Sequence, residues 1–231
     1  MLQRVEKQRI AEEIVEQLRS LILQGTYTPG DKLPPERKLA EQLGVNRASL
    51  REAIKKLEHM GLVKTRQGDG TRVLDWMQTA GLELVRHLVE RGSPDILHDV
   101  LEFRTIYGRE VARLSAQRAS PQDLARLDAL AEQASKDVAP EELLRLDLEF
   151  YVALAEAARN QVFKLLINTI RGAVSAYGKF FAQFQISPAE VRKHQKALLK
   201  ALRDRDPDAA VRAAESYLMR AEQLLASFSR T

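Results

Sequence analysis

Two arginines near the start of one predicted helix have the spacing needed to read DNA bases. Arg47 and Arg51 are four residues apart, so both lie on one helix face, about one turn from each other. A guanidinium can donate two hydrogen bonds to O6 and N7 of guanine, which is the commonest base-specific contact in protein–DNA complexes. The spacing therefore predicts that Arg47 and Arg51 contact neighbouring base pairs in a major groove.

Other polar and basic residues around these arginines predict contacts to the DNA backbone. Phosphate contacts come from basic and small polar side chains, and they position a protein on the duplex. Asn46 and Ser49 fit either phosphate binding or capping of the helix. Asp69 is unfavourable beside phosphate and is expected to point away from it. Lys55 and Arg66 are expected to contact phosphates, and Arg37 fits either a phosphate or a base-edge contact. Gln67 and Gly68 complete the predicted DNA-binding set, at a hairpin tip whose small residues allow close approach to the minor groove.

The elements that position these residues follow from the apolar pattern and the turn residues. Apolar residues at helical spacing predict a first helix over about residues 5–24. Pro35 favours the start of a second helix, and Asn46 is a good N-cap for a third. The segments "LVKTR" and "TRVLD" flank "QGDG", whose glycines supply the freedom that a hairpin tip needs. This order predicts a winged helix-turn-helix.

Basic charge is concentrated on the same predicted module. The chain holds 36 Lys and Arg against 32 Asp and Glu, for a net charge of +4. Residues 47–72 alone hold 7 basic residues against 3 acidic ones. This excess is typical of a nucleic-acid-binding surface, although a solvated basic face without a partner gives the same pattern.

Composition excludes several other classes of protein. The chain has no cysteine, so disulfides and thiolate metal sites are excluded. No stretch approaches the roughly 20 apolar residues of a membrane span, and the first residues do not read as a signal peptide. A cytoplasmic protein with no membrane partner is therefore expected.

The rest of the chain predicts a helical bundle. Helical patterns alternate with breaks such as "RGSP", "VAP" and "DRDP", and no strand pattern occurs among them. We therefore predict a mainly α fold with a winged helix-turn-helix DNA-binding domain over residues 1–76 and a helical ligand-binding and dimerisation domain over 77–231. A short linker near residues 76–80 joins them. Helices are predicted near 80–91, 95–118, 121–135, 140–158, 161–184, 188–204 and 207–228.

The segment from Leu33 to Val73 resembles the N-terminal domain of the GntR family of bacterial transcription regulators. The resemblance rests on "LPPERKLAEQLGVNRASLREAIKKLEHMGLV" followed by "GDGTRV". The helical half is similar to the ligand-sensing domain of the FadR subfamily. The resemblance implies a homodimer that binds a palindromic operator in double-stranded DNA and responds to a small-molecule effector. A two-fold dimer also fits physically, because paired recognition helices match symmetric half-sites.

The resemblance also bears on metal binding. Many members of the subfamily hold a metal with one Asp and three His, of which the first two are arranged as Asp-x-x-x-His. Asp147 and His194 match this pattern, but Tyr151 and Tyr217 stand at the other two positions. Zinc-type sites need about three or four protein ligands, and neutral Tyr is a poor one. We therefore predict no metal and no cofactor, with Asp147 and His194 as a hydrogen-bonded core pair.

The resemblance to the metal-free, fatty-acid-responsive branch makes a long-chain acyl-CoA a candidate effector. Arg104 matches a basic pocket position of the subfamily, and Tyr217 matches a pocket tyrosine of that branch. The sequence after Tyr217 departs from the branch, which leaves a small organic carboxylate as the alternative. The predicted ligand-binding set is Arg104, Asp147, Tyr151, Tyr177, His194 and Tyr217.

The physical chemistry of these residues leaves two alternatives open. A buried arginine needs a carboxylate partner, so Arg104 pairs either with Asp147 permanently or with a ligand. Tyr151 and Tyr177 fit core aromatics as well as pocket residues.

Three function classes compete for the whole chain. A ligand-responsive regulator is favoured. An enzyme is disfavoured, because the sequence has no Gly-rich phosphate loop, no complete metal set and no nucleophile elbow. An architectural DNA-binding dimer without an effector is the third class.

Overall fold

The chain divides into two units, Met1–Leu84 and Val85–Thr231. The computed structural model describes residues 7–91, 94–134, 138–176 and 187–228. Its elements are mainly α-helical, with one two-stranded sheet in the first unit, which confirms the predicted fold class.

The first unit has the predicted order of three helices and a hairpin. The apolar stripes of its helices meet in a core that includes Leu18, Leu50 and Leu57, and Leu62 extends that core to the hairpin. The two strands are antiparallel, and Lys32 adds an isolated bridge to Arg72 at the hairpin's edge. The elements are α1 (Lys7–Leu23), α2 (Glu36–Leu43), α3 (Arg47–His59), β1 (Val63–Arg66) and β2 (Gly70–Val73).

A short helix, α4 (Trp76–Thr79), occupies the segment predicted to be a linker. The Thr79 hydroxyl donates to the carbonyl of Gly61 at 2.6 Å, which fixes α4 against the end of α3. A Cβ on Gly61 would lie 2.2 Å from the Thr79 carbonyl oxygen, and Gly61 has a φ of +71°. Only glycine fits both the space and the backbone conformation here. The segment predicted to be a linker therefore includes a short helix.

The second unit is a bundle of long helices, and proline marks most of their starts. Proline is favoured in the first turn because its missing N–H has no partner there in any case. The predicted helix over 161–184 is described as far as Ala176, and Tyr177 lies outside the described residues. The helices are α5 (Glu83–Glu90, which begins at the end of the first unit), α6 (Pro94–Arg118), α7 (Pro121–Ala134), α8 (Pro140–Ala157), α9 (Gln161–Ala176), α10 (Pro188–Arg203) and α11 (Pro207–Phe228).

Helix α8 is the central helix of this bundle. Most of its residues are buried, and Asp147 is a charged residue among them. Helices α6 and α11 approach closely beside it, since a Cβ on Gly108 would lie 2.3 Å from Cδ1 of Leu218. None of the helices that the structure describes combines the length and apolar character needed to cross a bilayer.

Candidate functional site

The start of α3 presents part of the predicted DNA-binding set. The Asn46 side chain accepts a hydrogen bond from the backbone N–H of Ser49 at 2.9 Å, so the capping interpretation of Asn46 is confirmed. Arg47 is exposed directly after this cap. Ser49 is only 3 % exposed, so its side chain is not presented to solvent in this conformation, and its contact with phosphate stays a prediction. The residue lies on the buried stripe of α3 instead.

An ion pair holds Arg51, one turn further along α3. Its Nε lies 2.7 Å from a carboxylate oxygen of Glu36, which opens α2. Both groups are partly solvated, so the pair orients the guanidinium more than it stabilises the fold. Arg37 is exposed beside Glu36, and Lys55 is exposed one turn beyond Arg51.

At the hairpin tip, called the wing here, the Asp69 carboxylate faces two cationic side chains, Arg72 and Lys32. Arg72 donates to both carboxylate oxygens of Asp69, at 2.7 and 3.0 Å, and Lys32 lies 3.3 Å away. Hydrogen bonds from Arg72, then from Lys32, lower the pKa of Asp69 to about 2. Gly68 has a φ of +82°, which the tight turn requires. The exposed residues at this tip are Arg66, Gln67 and Gly68.

In the second unit, four predicted ligand residues form an inner cluster of side chains, defined here as Asp147, Tyr151, His194 and Tyr217. The Tyr151 hydroxyl bonds Nε2 of His194 at 3.0 Å, and Nδ1 of His194 lies 3.1 Å from the carbonyl oxygen of Ala213. A carbonyl can only accept, so Nδ1 carries the proton and Nε2 accepts from the tyrosine. Burial lowers the pKa of His194 to about 3, which keeps the ring neutral.

Asp147 is 1 % exposed and has three polar neighbours. It accepts from the Tyr217 hydroxyl at 2.9 Å and from the amide nitrogen of Gln195 at 3.5 Å. The guanidinium of Arg104 lies 4.0 Å away, and its side chain is 16 % exposed. Burial raises the pKa of Asp147, while Arg104 and the two hydrogen bonds act against that rise. The carboxylate partner expected for Arg104 is thus present, though at the outer limit of an ion pair.

The expected hydrogen-bonded pair of Asp147 and His194 is wrong in its partners. Among the described residues the two do not bond to each other, and each bonds to a tyrosine that stands at one of the replaced ligand positions. The Tyr217 ring stacks on His194, with centroids 4.1 Å apart and planes inclined by 5°. Desolvation raises the pKa of both tyrosines well above its ordinary value, so both stay protonated donors.

The inner cluster brings only one carboxylate and one imidazole together. Within the described part of the chain, no third His, Asp, Glu or Cys completes a metal-ligand group with Asp147 and His194. A group of that kind does occur on the exposed face of α6, at His98, Asp99 and Glu102, where exposed acidic groups are common without a metal. The absence of a metal from the inner cluster remains a prediction.

A small cavity adjoins the inner cluster. Its volume is about 10 Å³, which is room for roughly one water molecule. Its lining residues are Arg104, Tyr107, Gly108, Leu148, Tyr151 and Ile167.

Sequence reasoning missed three residues that the structure places at these sites. Glu36 orients Arg51 from another helix, Gln195 bonds Asp147 from α10, and Gly108 lines the small cavity. Glu36 directly precedes Arg37, a residue of the predicted DNA-binding set, and this neighbourhood is the sequence signal that could have indicated a role for Glu36. Gln195 follows His194 directly, but nothing in the local pattern points it towards Asp147.

Both halves of the chain match known protein families. Residues 10–73 match the family described as bacterial regulatory proteins, gntR family, and residues 99–220 match the FCD domain. An uncharacterized HTH-type transcriptional regulator of Mycobacterium tuberculosis is 33% identical over 92% of this chain and 88% of that protein. A putative L-lactate dehydrogenase operon regulatory protein of Escherichia coli is 31% identical over 91% of this chain and 84% of that protein.

Solved structures show the same architecture. A GntR protein of Streptococcus agalactiae matches with a TM-score of 0.52 and 27% identity, over 92% of this chain and 99% of that one. A regulator from Listeria monocytogenes matches with a TM-score of 0.62 at 18% identity, over 98% and 99% of the two chains, which supports the fold alone.

Proposed function

Because this chain belongs to the GntR family of bacterial regulatory proteins and carries an FCD domain, we propose that it is a homodimeric regulator whose affinity for a palindromic operator changes when an acidic effector binds. Residues 1–76 are the proposed DNA-binding domain, and residues 77–231 are the proposed effector-binding and dimerisation domain. No catalytic residue is assigned.

The observation that carries the DNA-binding half is the capped start of α3. The Asn46 cap fixes the first turn, which presents the exposed Arg47, and the Glu36 carboxylate orients Arg51 one turn later. In helix-turn-helix proteins the N-terminal residues of the second helix contact base edges. Arg47 and Arg51 are therefore the proposed base-reading residues, and Arg37, Lys55 and Arg66 the proposed phosphate contacts.

The base-reading role is tested by fluorescence anisotropy on the duplex upstream of the protein's own gene and on a scrambled duplex of equal length. Arg47→Ala removes one bidentate contact, so discrimination between the duplexes should fall about 5- to 150-fold, since such contacts are worth about 1–3 kcal/mol. Arg9→Ala removes an exposed arginine of α1 and is the matched control. Equal discrimination in wild type and Arg47→Ala would remove Arg47 from the interface.

For the effector, the cavity favours a small organic carboxylate over a long-chain acyl-CoA. Pockets for drug-sized ligands are typically about 300–1,000 Å³, whereas the cavity beside Arg104 is about 10 Å³. A small acid needs only local widening around Arg104, and its carboxylate would replace the long 4.0 Å contact to Asp147 with a direct one. One relative is named for the operon of L-lactate dehydrogenase, an enzyme named for a small hydroxycarboxylate.

The effector is tested by thermal unfolding and by anisotropy of bound operator, with L-lactate and a long-chain acyl-CoA as the probes. Binding to the folded protein must raise its melting temperature in a concentration-dependent way. We expect L-lactate to do so in the wild type and in Arg113→Ala, an arginine of the same helix outside the cavity, but not in Arg104→Met. Stabilisation by acyl-CoA alone would reverse the choice of effector.

An effector-independent architectural dimer is the second candidate, and the same small cavity favours it. Asp147 already has partners within the protein, so Arg104 and Asp147 need no ligand to be satisfied. A ligand changes DNA affinity only if it binds one dimer geometry better than the other. If neither probe shifts the melting temperature while the operator still binds, this second candidate replaces the first.

A further inference from the structure

Helices α6 and α9 form an apolar face on the surface of the helical unit. The two helices are neighbours, because the Tyr107 ring packs edge-on against Phe163, with centroids 5.3 Å apart. Phe103 continues this aromatic row towards the surface, with its ring centroid 6.0 Å from that of Tyr107. Four large apolar side chains on these helices are exposed. We call this set the α6–α9 face, and its members are Phe103, Ile106, Val162 and Leu165.

The exposed apolar side chains of this face are concentrated on two adjacent helices. Single exposed apolar residues are normal on protein surfaces, but a contiguous group of them marks a surface that another molecule covers. Leu165 is 69 % exposed and lies one helical turn from the exposed Val162, and Phe103 and Ile106 have the same spacing on α6. Among the described residues, half of the exposed large apolar side chains belong to this face.

Acidic side chains line the α6 edge of the face. Asp95, Asp99 and Glu102 are exposed, and they recur with Ile106 at helical spacing, so they lie on the same side of α6. Asp99 has His98 as its neighbour, at 3.9 Å. Within the described part of the chain, neither Asp95 nor Glu102 has a basic partner. This edge therefore carries an excess of negative charge.

Basic side chains line the α9 edge of the face. Helix α9 contains no acidic residue, and its two cations, Lys164 and Arg171, are about half exposed. Both lie on the side of α9 that meets α8, because Lys164 pairs with Glu156 at 3.1 Å and Arg171 lies 3.7 Å from Glu149. Arg126 shares the Glu156 carboxylate with Lys164. Two cations on one carboxylate leave this edge with an excess of positive charge.

From this arrangement we propose that the α6–α9 face binds the same face of a second copy of the chain. A two-fold interface uses one patch on both partners, so that patch has to complement itself. A rotation that places α6 of one copy on α9 of the other brings each acidic edge onto a basic edge. The same rotation buries the apolar side chains of both copies between the charged edges. An apolar centre with a charged rim is the usual anatomy of a protein interface.

The presence of two edges of opposite sign favours a second copy over other occupants. An anionic lipid surface, or a partner whose charge has one sign, is attracted by one edge and repelled by the other. A second copy satisfies both edges at once. This proposal rests on the proposed homodimer, and it adds where in the helical unit the two copies meet.

The apolar centre is tested by sedimentation equilibrium of the full-length protein. The wild type should be a dimer at micromolar concentration. Leu165→Glu should raise the dissociation constant of the dimer about a hundredfold or more, because an unpaired charge buried in an interface is strongly unfavourable. Ala129→Glu places the same charge on an exposed position of α7, outside the face, and should dimerise like the wild type. Thermal melts verify that both variants are folded.

The pairing of unlike edges is tested with two charge-reversed variants. Asp99→Lys with Glu102→Lys makes both edges basic, and Lys164→Glu with Arg171→Glu makes both edges acidic. Each variant alone should dimerise about tenfold or more weakly than the wild type, because like charges then meet. An equimolar mixture of the two should recover the dimer, because every basic edge of the mixed pair meets an acidic one. A misfolded variant would not be rescued by mixing.

The outcomes separate this proposal from the homodimer itself. A wild type that stays monomeric overturns both. A dimeric wild type whose association is unchanged by Leu165→Glu, or is weakened as much by Ala129→Glu, places the interface elsewhere and overturns only the α6–α9 face. Charge-reversed variants that dimerise alone like the wild type, or that fail to recover the dimer on mixing, overturn the pairing of α6 with α9.

Discussion

Removing one hydroxyl group from the inner cluster, by Tyr217→Phe, should destabilise the protein by an amount that depends on pH. The hydroxyl donates to Asp147 at 2.9 Å, and Asp147 is too buried for water to replace it. The remaining neighbours of the carboxylate lie at 3.5 Å, from Gln195, and at 4.0 Å, from Arg104. Hydrogen bonds to charged groups are worth about 1.5–3 kcal/mol, so we expect a loss of about 2 kcal/mol where Asp147 is ionised.

The pH dependence follows from the raised pKa of Asp147. A raised folded pKa means that the folded state binds this proton more readily than the unfolded chain, so the protonated carboxyl favours folding as pH falls. Tyr217→Phe removes a donor to the charged form, and its cost should fall to about 1 kcal/mol once Asp147 is protonated. The phenylalanine ring keeps the stacking on His194.

The assay is urea unfolding of wild type and variant between pH 4.5 and 8.5, with thermal melts alongside. A loss of about 2 kcal/mol corresponds to a fall in melting temperature of about 4–8 °C for a chain of this size. Tyr107→Phe is the matched control, because that hydroxyl donates to the neutral carbonyl of Phe163 and its cost should not vary across this range. The same cost for Tyr217→Phe at every pH, equal to that of the control, would refute the assignment of Asp147 as a buried carboxylate held by Tyr217.

Three further changes test other contacts. Glu36→Gln should leave stability nearly unchanged but reduce discrimination between operator and scrambled duplex, because Arg51 loses its orienting carboxylate; unchanged discrimination in anisotropy would contradict this. Asp69→Asn should free Arg72 to contact a phosphate. The slope of log binding constant against log salt concentration should then steepen by about one unit, and an unchanged slope would argue against the pairing of Asp69 with Arg72. The stability advantage of wild type over His194→Asn should shrink as pH falls from about 6.5 towards 3, because the unfolded chain takes up the imidazole proton before the folded one does. Urea unfolding at several pH values measures this stability difference. A stability difference that stays constant with pH would mean that His194 is not held neutral.

The first unit was predictable from sequence because its signals are local. The Asn46 cap, the glycines of the hairpin and the apolar stripes act over a few residues, and the helices they predict agree with the structure to within a few residues. The burial of Ser49 was also visible in principle, since it lies four residues before Ala53 and eight before Leu57 on one stripe.

The side-chain pairings of both sites were not predictable in this way. Glu36 and Arg51 are 15 residues apart in sequence, and Gln195 and Asp147 are 48 apart, so helix packing rather than local pattern brings them together. The resemblance to a known subfamily predicted which four positions form the inner cluster. It did not predict that each of the two retained residues bonds to a tyrosine. A helix of only four residues, such as α4, has too few residues to show a helical period at all.

The contact between Thr79 and Gly61 has a practical consequence for protein engineering. The hairpin ends at Val73, which makes it the obvious fusion point for a chimera that joins this DNA-binding unit to another sensor. A fusion there would remove Thr79, whose hydroxyl donates to the Gly61 carbonyl. The backbone of Thr79 that packs against Gly61 at the end of α3 would be lost as well. A cassette that ends after Leu84 keeps α4 and its hydrogen bond to Gly61, and it matches the boundary of the unit. Transplanted modules should therefore carry these additional residues.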